Sequence, residues 1–333
     1  MEIQKALIEW YQANHRLLIF RENKDPYSIW VSEIMAQQTR IDTMLAYYER
    51  WMDKYPTIKD LACAPLSDVL KSWEGLGYYN RARKLHEGAS FVLNHYNGEL
   101  PANVKELEEI PGIGKYTAGA IASIAFNLKA PAVDGNVLRV ITRLFRYGDD
   151  ITSIKTQKKV YEHVYELMED GNPSDFTQGL MELGALICTP MNPSCNTCPL
   201  ANQCLANEYN EQSIYPNKKA KKAPQIINLR PLILINNQDQ IILSNECDDN
   251  LMEGYMRLPE CPNEEYISKC ERYDVKKHVF SHRIWKMEVY INKQFDDQLQ
   301  EKWQWISMKE LDKIAIVTAH RKIITEYIKK LNR

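Results

Sequence analysis

One glutamate in this sequence has the surroundings that general acid chemistry requires. Glu33 lies within residues 30–40 (WVSEIMAQQTR), next to apolar residues such as Val31 and Ile34. Because an apolar environment disfavours the ionised form, we expect the pKa of this carboxyl group to be raised towards neutrality. A carboxyl group that keeps its proton near neutral pH suits a general acid. Ser32 and Glu33 are predicted to begin a helix, with Gln37, Gln38 and Thr39 on its next turn. The alternative is that Glu33, in the first turn, only complements the helix dipole.

A second carboxyl group, that of Asp134, follows the loop Ala130–Val133. Gly135 and Asn136 come next, and a new amphipathic run begins directly after them. A carboxylate in this place can cap a helix by accepting a hydrogen bond from one of its first backbone N–H groups. The sequence alone leaves the capping role and a chemical role open.

A tight hairpin with the sequence PGIG, residues 111–114, lies between the two carboxyl groups. Proline cannot continue a helix, and glycine permits positive φ and close approach by another molecule. The pattern predicts a short helix from about Val104, the hairpin, and a second helix from Lys115. The uncovered N–H groups at the start of that second helix would bind an anion, for which a DNA phosphate is the best candidate. An ordinary helical corner is the alternative.

Four of the 8 cysteines are clustered, with the spacing Cys-x6-Cys-x2-Cys-x5-Cys. They are Cys188, Cys195, Cys198 and Cys204. In a reducing compartment, clustered cysteines indicate metal binding more often than disulfides. Four thiolates suit a [4Fe–4S] cluster, and zinc is the competitor. Zinc sites usually have two Cys-x2-Cys pairs, whereas this segment has one, so the sequence favours the cluster.

Residues 73–84 (WEGLGYYNRARK) form a loop that is interrupted by glycines and carries two tyrosines and three cations. Such a loop could wedge between bases and hold phosphates. A plain connection between two helices with a solvated basic end is the alternative.

The bulk composition indicates a globular protein with room for two domains. The 333 residues are 44% hydrophobic and 26% charged, with a net charge of −2. No run approaches the about 20 apolar residues that a membrane span needs, and the first residues do not resemble a secretion signal. We therefore expect a cytoplasmic protein that makes no membrane contact. Any contact with DNA must come from a local basic face and backbone amides, because the overall charge does not favour it.

The hydrophobic pattern changes along the chain. Residues 1–130 and 155–190 show helical spacing, and a lysine-rich segment at 207–228 is predicted to be a linker. Beyond it, strands are predicted at 232–235, 240–244, 277–285 and 286–291, with a closing helix at about 307–331. The chain is therefore predicted to have a helical part followed by an α+β part.

Taken in order, these motifs resemble those of the MutY-type adenine DNA glycosylases, members of the helix-hairpin-helix superfamily together with endonuclease III. The resemblance rests on VSEIMAQQTR, GLGYYNRAR, the PGIG hairpin with its later VDGN, and the cysteine spacing, and it covers essentially the whole chain. It implies a multidomain fold, in which an all-α helix-hairpin-helix glycosylase domain with an iron–sulfur cluster loop is followed by an α+β Nudix-like domain. The implied boundaries are a six-helix domain at about 30–134 within a cluster domain (1–29 and 135–206), the linker at 207–228 and the Nudix-like domain at 229–333.

The resemblance also implies an activity, the removal of adenine mispaired with 8-oxoguanine or guanine in double-stranded DNA. Glu33 matches the general acid that protonates adenine N7, and Asp134 matches the carboxylate that stabilises the oxocarbenium ion at the sugar. Tyr116 stands where bifunctional relatives carry a lysine that forms a Schiff base. Lys115 lies one position before that place in the sequence. We therefore expect a monofunctional glycosylase whose catalytic set is Glu33, Tyr116, Asp134 and Asn136, acting on a base flipped out of the duplex.

The same matching assigns binding residues. Arg21 and Gln178 would line the adenine pocket, where Phe20 replaces the more usual tryptophan. The expected contacts to the bases near 8-oxoguanine come from Gln38, Thr39, Leu76 and Tyr78, and those to the DNA backbone from Gly112, Gly114 and Lys115. Phe280, Ser281 and His282 match the loop that reads 8-oxoguanine. The catalytic helix of Nudix hydrolases is absent from the sequence, so this domain is expected to recognise and not to hydrolyse.

Two other hypotheses remain open from the sequence. One is a glycosylase for a different mispaired base, such as thymine; the other is a non-catalytic, metal-stabilised DNA-binding protein. The resemblance further implies a bacterial, nucleoid-associated monomer.

Overall fold

The computed structural model of the chain describes residues 2–169, 171–219, 223–246, 252–280, 283–296 and 298–331. Its contacts divide the chain into two compact units. The first comprises Met1–Cys63 and Glu87–Ala220, and the second comprises Ala64–His86 and Lys221–Arg333. The domain boundaries implied by the sequence stay a prediction. The two units differ from them in one respect, because residues 64–86 group with the C-terminal part of the chain.

The described residues before the lysine-rich segment are helical, as the sequence predicts. The helices are α1 (Glu2–Asn14), α2 (Pro26–Ala36), α3 (Ile41–Lys54), α4 (Ile58–Cys63), α5 (Leu66–Trp73), α6 (Asn80–His95), α7 (Val104–Glu109), α8 (Lys115–Ile124), α9 (Gly135–Leu144), α10 (Ile154–Leu167), α11 (Pro173–Leu186) and α12 (Leu205–Glu208). Helix α5 lies in the second unit, and α6 runs from the second unit into the first. None of the described helices has both the length and the apolar character that crossing a membrane requires.

One hydrophobic cluster of the first unit is built around α9 and α11. Apolar residues of α9 recur at helical spacing and are buried against apolar residues of α11 and α1. The buried set includes Leu7, Val137, Val140, Ile141, Leu144, Leu180 and Leu183. This packing fixes where α9 begins, and it therefore fixes the position of Asp134, the residue just before it.

Helix α2 differs from the sequence prediction at both ends. It begins at Pro26, so the prediction that Ser32 and Glu33 begin a helix is wrong. The reason is local: Asp25 caps the helix by accepting a hydrogen bond from Ser28 N at 2.7 Å, and proline is well suited to the first helical position. The helix ends at Ala36, and Gln38 has a φ of 56°. Residues 37–39 therefore form a turn and do not continue the helix.

The second unit contains the strands, which confirms the predicted α+β character. They are β1 (Gln225–Leu229), β2 (Leu232–Leu234), β3 (Gln240–Ser244), β4 (Glu271–Val279), β5 (Arg283–Asn292) and β6 (Trp303–Ser307), with helices α13 (Glu264–Ser268) and α14 (Thr318–Leu331). Strands β1 and β2 lie one after the other along one edge of β5, parallel to it, and β4 pairs with its other edge in antiparallel fashion. Strands β3 and β6 form a separate antiparallel pair.

Three boundaries in this unit differ from the sequence prediction. The predicted strands 277–285 and 286–291 are in fact β4 and β5, because β5 keeps an unbroken alternation that buries Trp285, Met287, Val289 and Ile291. The end of the predicted linker is β1, which pairs with β5. The closing helix begins only at Thr318, after a 3₁₀ turn at Met308–Lys313.

Candidate active site

Glu33 of α2 and Tyr116 of α8 are in direct contact. The Tyr116 hydroxyl donates a hydrogen bond to Glu33 Oε2 at 2.5 Å. A second contact between these helices joins Gln37 Nε2 to Thr117 Oγ1 at 3.4 Å. Both Glu33 and Tyr116 are partly buried, so protein encloses much of the space around this pair.

Burial and three neighbouring groups act on the protonation of Glu33. Burial raises the pKa of this carboxyl group to about 7, which agrees with the sequence prediction. The hydrogen bond from Tyr116 and the positive charge of Arg21 lower the pKa, whereas the negative charge of Asp134 raises it. Because charges act in this way only over short distances, the structure brings Glu33, Tyr116, Asp134 and Arg21 into one site.

Asp134 caps helix α9, so the capping alternative is confirmed. Its Oδ1 accepts a hydrogen bond from Val137 N at 2.8 Å, and its Oδ2 accepts one from Asn136 Nδ2 at 2.8 Å. Burial raises the pKa of Asp134, while these hydrogen bonds and the charge of Arg139 oppose the rise by favouring the ionised form. Asn136 is held in turn by Arg139 Nη2, which donates to its Oδ1 at 2.8 Å. Capping therefore fixes the carboxylate and leaves a chemical role open to it.

Glu182 is a residue of this region that the sequence analysis did not identify. Its side chain is fully buried on α11, one turn after the predicted pocket residue Gln178, and it accepts hydrogen bonds from Arg16 Nε at 2.7 Å and Arg21 Nη2 at 2.9 Å. Burial would raise the pKa of Glu182, but the hydrogen bonds and charges of the two arginines outweigh it and hold the pKa at about 2. The available signal was a glutamate inside an otherwise apolar helical run, since a buried charge requires a partner.

Arg21 is held by this ion pair with one side free of hydrogen bonds. Its Nη1 is buried and has no hydrogen-bond partner among the described residues. Gln178 is also buried, and its Nε2 donates to Ser174 Oγ at 3.3 Å. Arg21 therefore offers a buried donor next to Glu33, and buried donors are normally satisfied by a partner or a ligand.

The hairpin has the predicted form. Helix α7 begins at Val104 after the capping residue Asn103, and α8 begins at Lys115. Gly112 has a φ of 85°, whereas Gly114 is extended and precedes α8 without a side-chain cap from any described residue. Gly112, Gly114 and Lys115 are all exposed. The first N–H groups of α8 are therefore accessible to an anion.

The four clustered cysteines surround one small cavity of about 30 Å³ in the first unit. Burial raises the pKa of Cys198 to about 11 and also raises that of Cys204. Arg143 Nη1 lies 3.3 Å from Cys188 Sγ and donates to it. Buried thiols that converge in this way bind metal ions once a cation favours the thiolate.

No group of three or more His, Cys, Asp or Glu side chains in the described part of the chain stands close enough to hold a single metal ion. The donor set, four sulfurs around one cavity, fits a polynuclear cluster by its chemistry. The cluster itself stays a prediction.

The remaining predicted residues lie elsewhere. Gln38 is exposed and Thr39 is partly buried, both in the turn after α2. Leu76, Tyr78 and Phe280 belong to the second unit. The Phe280 ring lies 4.6 Å from that of His278 and 4.8 Å from that of Trp285. Ser281 and His282 lie outside the described residues.

Comparison with known proteins gives family matches for both parts of the chain. Residues 31–168 match the family model of the HhH-GPD superfamily of base excision DNA repair proteins, and residues 231–326 match that of the NUDIX domain. The chain is 31% identical to the adenine DNA glycosylase of Buchnera aphidicola subsp. Acyrthosiphon pisum, over 98% of each chain. The rat enzyme of the same name is 38% identical over 80% of this chain, and the Arabidopsis thaliana enzyme is 34% identical over 98% of it. The chain spans only 54% and 57% of the lengths of these last two relatives.

Solved structures give the same fold for the helical part. A thermostable thymine-DNA glycosylase matches with a TM-score of 0.56 and 31% identity, over 62% of this chain and 95% of that one. Endonuclease III in a non-covalent complex with DNA matches with a TM-score of 0.52 and 27% identity, over 62% of this chain and 96% of that one. The predicted fold class, a helix-hairpin-helix domain followed by a Nudix-like domain, is thereby confirmed.

Proposed function

Because this chain belongs to the adenine DNA glycosylases, we propose that it hydrolyses the N-glycosidic bond of adenine mispaired with 8-oxoguanine or guanine in DNA. The observation that carries the proposal is the pair of carboxyl groups in one site. Glu33 has a pKa near neutrality, and Asp134 receives two hydrogen bonds that favour its charge. A protonated acid beside an ionised carboxylate is the arrangement that hydrolysis of a glycosidic bond needs.

The first step is protonation of the leaving base. Adenine leaves poorly as an anion, so a proton on N7 lowers the barrier to breaking the bond to the sugar. Glu33 supplies this proton. Tyr116 holds Oε2 of the carboxyl group through its hydroxyl, so the remaining oxygen, Oε1, is the one available to the base.

The second step is the stabilisation of positive charge on the sugar. As the bond to the base breaks, the ribosyl carbon acquires oxocarbenium character, and a fixed negative charge lowers the energy of that state. Asp134 provides the charge, and its role as the cap of α9 keeps it from moving during the reaction. Water then adds to the sugar, and the products are free adenine and an abasic site.

Base removal without strand cleavage follows from Tyr116. Strand cleavage by Schiff-base chemistry requires an amine at the sugar carbon. Tyr116 occupies the place of that amine, and its hydroxyl is engaged with Glu33. Lys115 is exposed at the start of α8, so we propose at most weak lyase activity.

DNA binding is supported by the solved relatives, which include endonuclease III bound to DNA. The glycosidic bond of a stacked base is shielded, so the adenine must first leave the duplex. We place it beside Arg21, Gln178 and the ion pair of Glu182, while the exposed N-terminus of α8 receives a backbone phosphate.

Recognition of 8-oxoguanine is assigned to the C-terminal domain. Its match to the NUDIX domain and the sequence FSH at residues 280–282 support this assignment. The Phe280 ring packs edge-on against Trp285, which fixes one end of the reading loop on strand β5.

A [4Fe–4S] cluster is proposed to be held by Cys188, Cys195, Cys198 and Cys204. When bound, it would supply four metal–thiolate bonds that tie the irregular segment after α11 into one structure. The cysteine spacing favours the cluster over zinc, because zinc sites usually have two Cys-x2-Cys pairs and this segment has one. The proposed reaction uses no step through the cluster.

Excision assays test the proposal. Duplexes carrying adenine, thymine or uracil opposite 8-oxoguanine or guanine should release adenine only, and strands should break only after treatment with alkali. Release of thymine would favour the alternative suggested by the thymine-DNA glycosylase relative. Binding to mismatched DNA without release of any base would contradict an enzymatic function.

A further inference from the structure

The turn at Glu74–Tyr79 has an unusual backbone. Gly75, Gly77 and Tyr78 have φ values of 101°, 76° and 47°. Glycine adopts such values readily, whereas for tyrosine they carry an energetic cost. Tyr78 is 41% exposed, while Leu76 is buried. A turn of this kind persists only when its surroundings hold it in place.

Two side chains from the flanking helices support the middle of the turn. Trp73 Nε1 donates to Gly77 O at 3.1 Å, and Arg81 Nη2 donates to the same oxygen at 3.1 Å. The Arg81 guanidinium also lies 5.1 Å from the centre of the Trp73 ring. These bonds shape the turn, but they do not attach it to the rest of its unit.

The first end of the turn is attached by Glu74. Its carboxylate accepts hydrogen bonds from Arg321 Nε at 2.6 Å, from Lys71 Nζ at 2.8 Å and from Ile316 N at 3.3 Å. Arg321 Nη2 also donates to Ile314 O at 2.7 Å. The side chains of Glu74 and Arg321 are only 11% and 18% exposed, so this ion pair is well shielded from water.

The second end is attached by Tyr79. Its hydroxyl lies 2.5 Å from Thr318 Oγ1, and Thr318 N donates to it at 2.9 Å. The Tyr79 ring also lies 4.3 Å from that of Tyr255. Thr318 is the first residue of α14, which also carries Arg321. Both ends of the turn are therefore fixed to the start of one helix in the same compact unit.

We propose that Arg321 and Thr318 are positioning residues for mispair selection. They clamp the turn to the unit that carries the 8-oxoguanine-reading strands, so that Tyr78 and Phe280 are presented to DNA by one compact unit. When the reading strands bind 8-oxoguanine, the turn is fixed in the base stack at the same time. Guanine opposite adenine lacks this recognition, so the turn raises the excision rate less on an A:guanine duplex. This inference rests on the proposed function and on the contacts to bases near 8-oxoguanine that the resemblance assigns to Leu76 and Tyr78.

The test measures adenine excision from A:8-oxoguanine and A:guanine duplexes at limiting protein concentration. In Arg321→Ala, the ratio of the two rates should fall about tenfold or more, because Glu74 loses both of the charge-assisted hydrogen bonds by which Arg321 anchors the turn. Tyr79→Phe removes only a hydroxyl, and the ratio should fall in the same direction. Lys329→Ala, an exposed change near the end of α14, should leave the ratio unchanged.

A merely structural role would lower both rates by the same factor. If the ratio stays at its wild-type value in both Arg321→Ala and Tyr79→Phe, the proposal is wrong, and Tyr79→Phe decides the matter should Arg321→Ala fold poorly. Failure of the proposed function is a different result, because wild-type protein would then excise adenine from neither duplex.

Discussion

The Tyr116 hydroxyl donates to Glu33 Oε2 at 2.5 Å, and this bond joins the two features that set the chemistry of the site. Burial holds the pKa of Glu33 near neutrality. In the proposed function, Tyr116 occupies the position at which a lysine would make the site a lyase. We therefore propose that one side chain both adjusts the acid and keeps an amine away from the sugar. The bond lowers the pKa of Glu33, while burial raises it more strongly.

The pH dependence of excision should follow Glu33. The pKa of Glu33 is about 7, so the single-turnover rate should fall above that pH by about tenfold per pH unit as the acid loses its proton. In Tyr116→Phe the bond that favours the ionised form is lost, so the pKa rises and the alkaline limb moves to higher pH. A rate–pH profile of both proteins with saturating enzyme measures this shift. An unmoved or acid-shifted limb in the variant would contradict the assignment of Glu33 as the acid.

Removing the proton donor should abolish most of the activity without loss of DNA binding. Glu33→Gln keeps the size and polarity of the side chain, but it cannot protonate adenine. We expect the excision rate to fall by about 100-fold or more, the usual contribution of a general acid. Binding to mismatched duplex, measured by fluorescence anisotropy, should stay within about threefold of wild type. The protonated carboxyl group of Glu33 is already uncharged, so the substitution removes no charge from the active form. Full activity in this variant would rule out Glu33 as the proton donor.

The sequence predicted the raised pKa of Glu33 correctly because the apolar segment that carries it, with Val31 and Ile34, is buried in the fold. It misplaced the start of α2 because Asp25-Pro26 reads as a turn, although the same pair is a helix cap followed by a first-turn proline. Glu182 was missed for a different reason. Its partners Arg16 and Arg21 come from a segment more than 160 positions away, and no local sequence pattern predicts that pairing.

Asp134 can be tested separately as a cap and as a catalyst. Asparagine caps helices about as well as aspartate, so Asp134→Asn keeps the hydrogen bond from Val137 N but loses the one from Asn136, and the free energy of unfolding should fall by about 1 kcal/mol. It removes the negative charge, however, and excision should fall by about 100-fold or more. Asp134→Ala also loses the cap and should destabilise the protein by about 2 kcal/mol. Urea titrations and single-turnover assays on the three proteins measure both effects, and an active Asp134→Asn would leave Asp134 as a cap only.

The cysteine loop makes a prediction about metal content. Purified protein should contain iron and acid-labile sulfide in equal amounts, four of each per chain. Cys198→Ser should lose both and lower the melting temperature, because the irregular loop would lose the bonds that close it. Cys63→Ser changes an exposed cysteine outside the cluster and serves as the control. One zinc ion per chain and no sulfide would show that the cysteines bind zinc and not an iron–sulfur cluster.

The ion pair of Glu182 makes a prediction about acid stability. The folded-state pKa of Glu182 is about 2, below its ordinary value of 4.5, so its contribution is complete above pH 4.5 and is lost as the pH falls towards 2. This difference corresponds to about 3 kcal/mol. Glu182→Gln should therefore be destabilised by about 3 kcal/mol at neutral pH, where it leaves Arg16 and Arg21 without a charged partner, and should show little further loss between pH 4.5 and 2 from this site. Denaturant titrations across that range measure the difference.

Glu9→Gln breaks an exposed pair with Lys5 and should change stability by less than about 0.5 kcal/mol at every pH. Parallel pH curves for wild type and Glu182→Gln would show that the arginines do not stabilise this carboxylate.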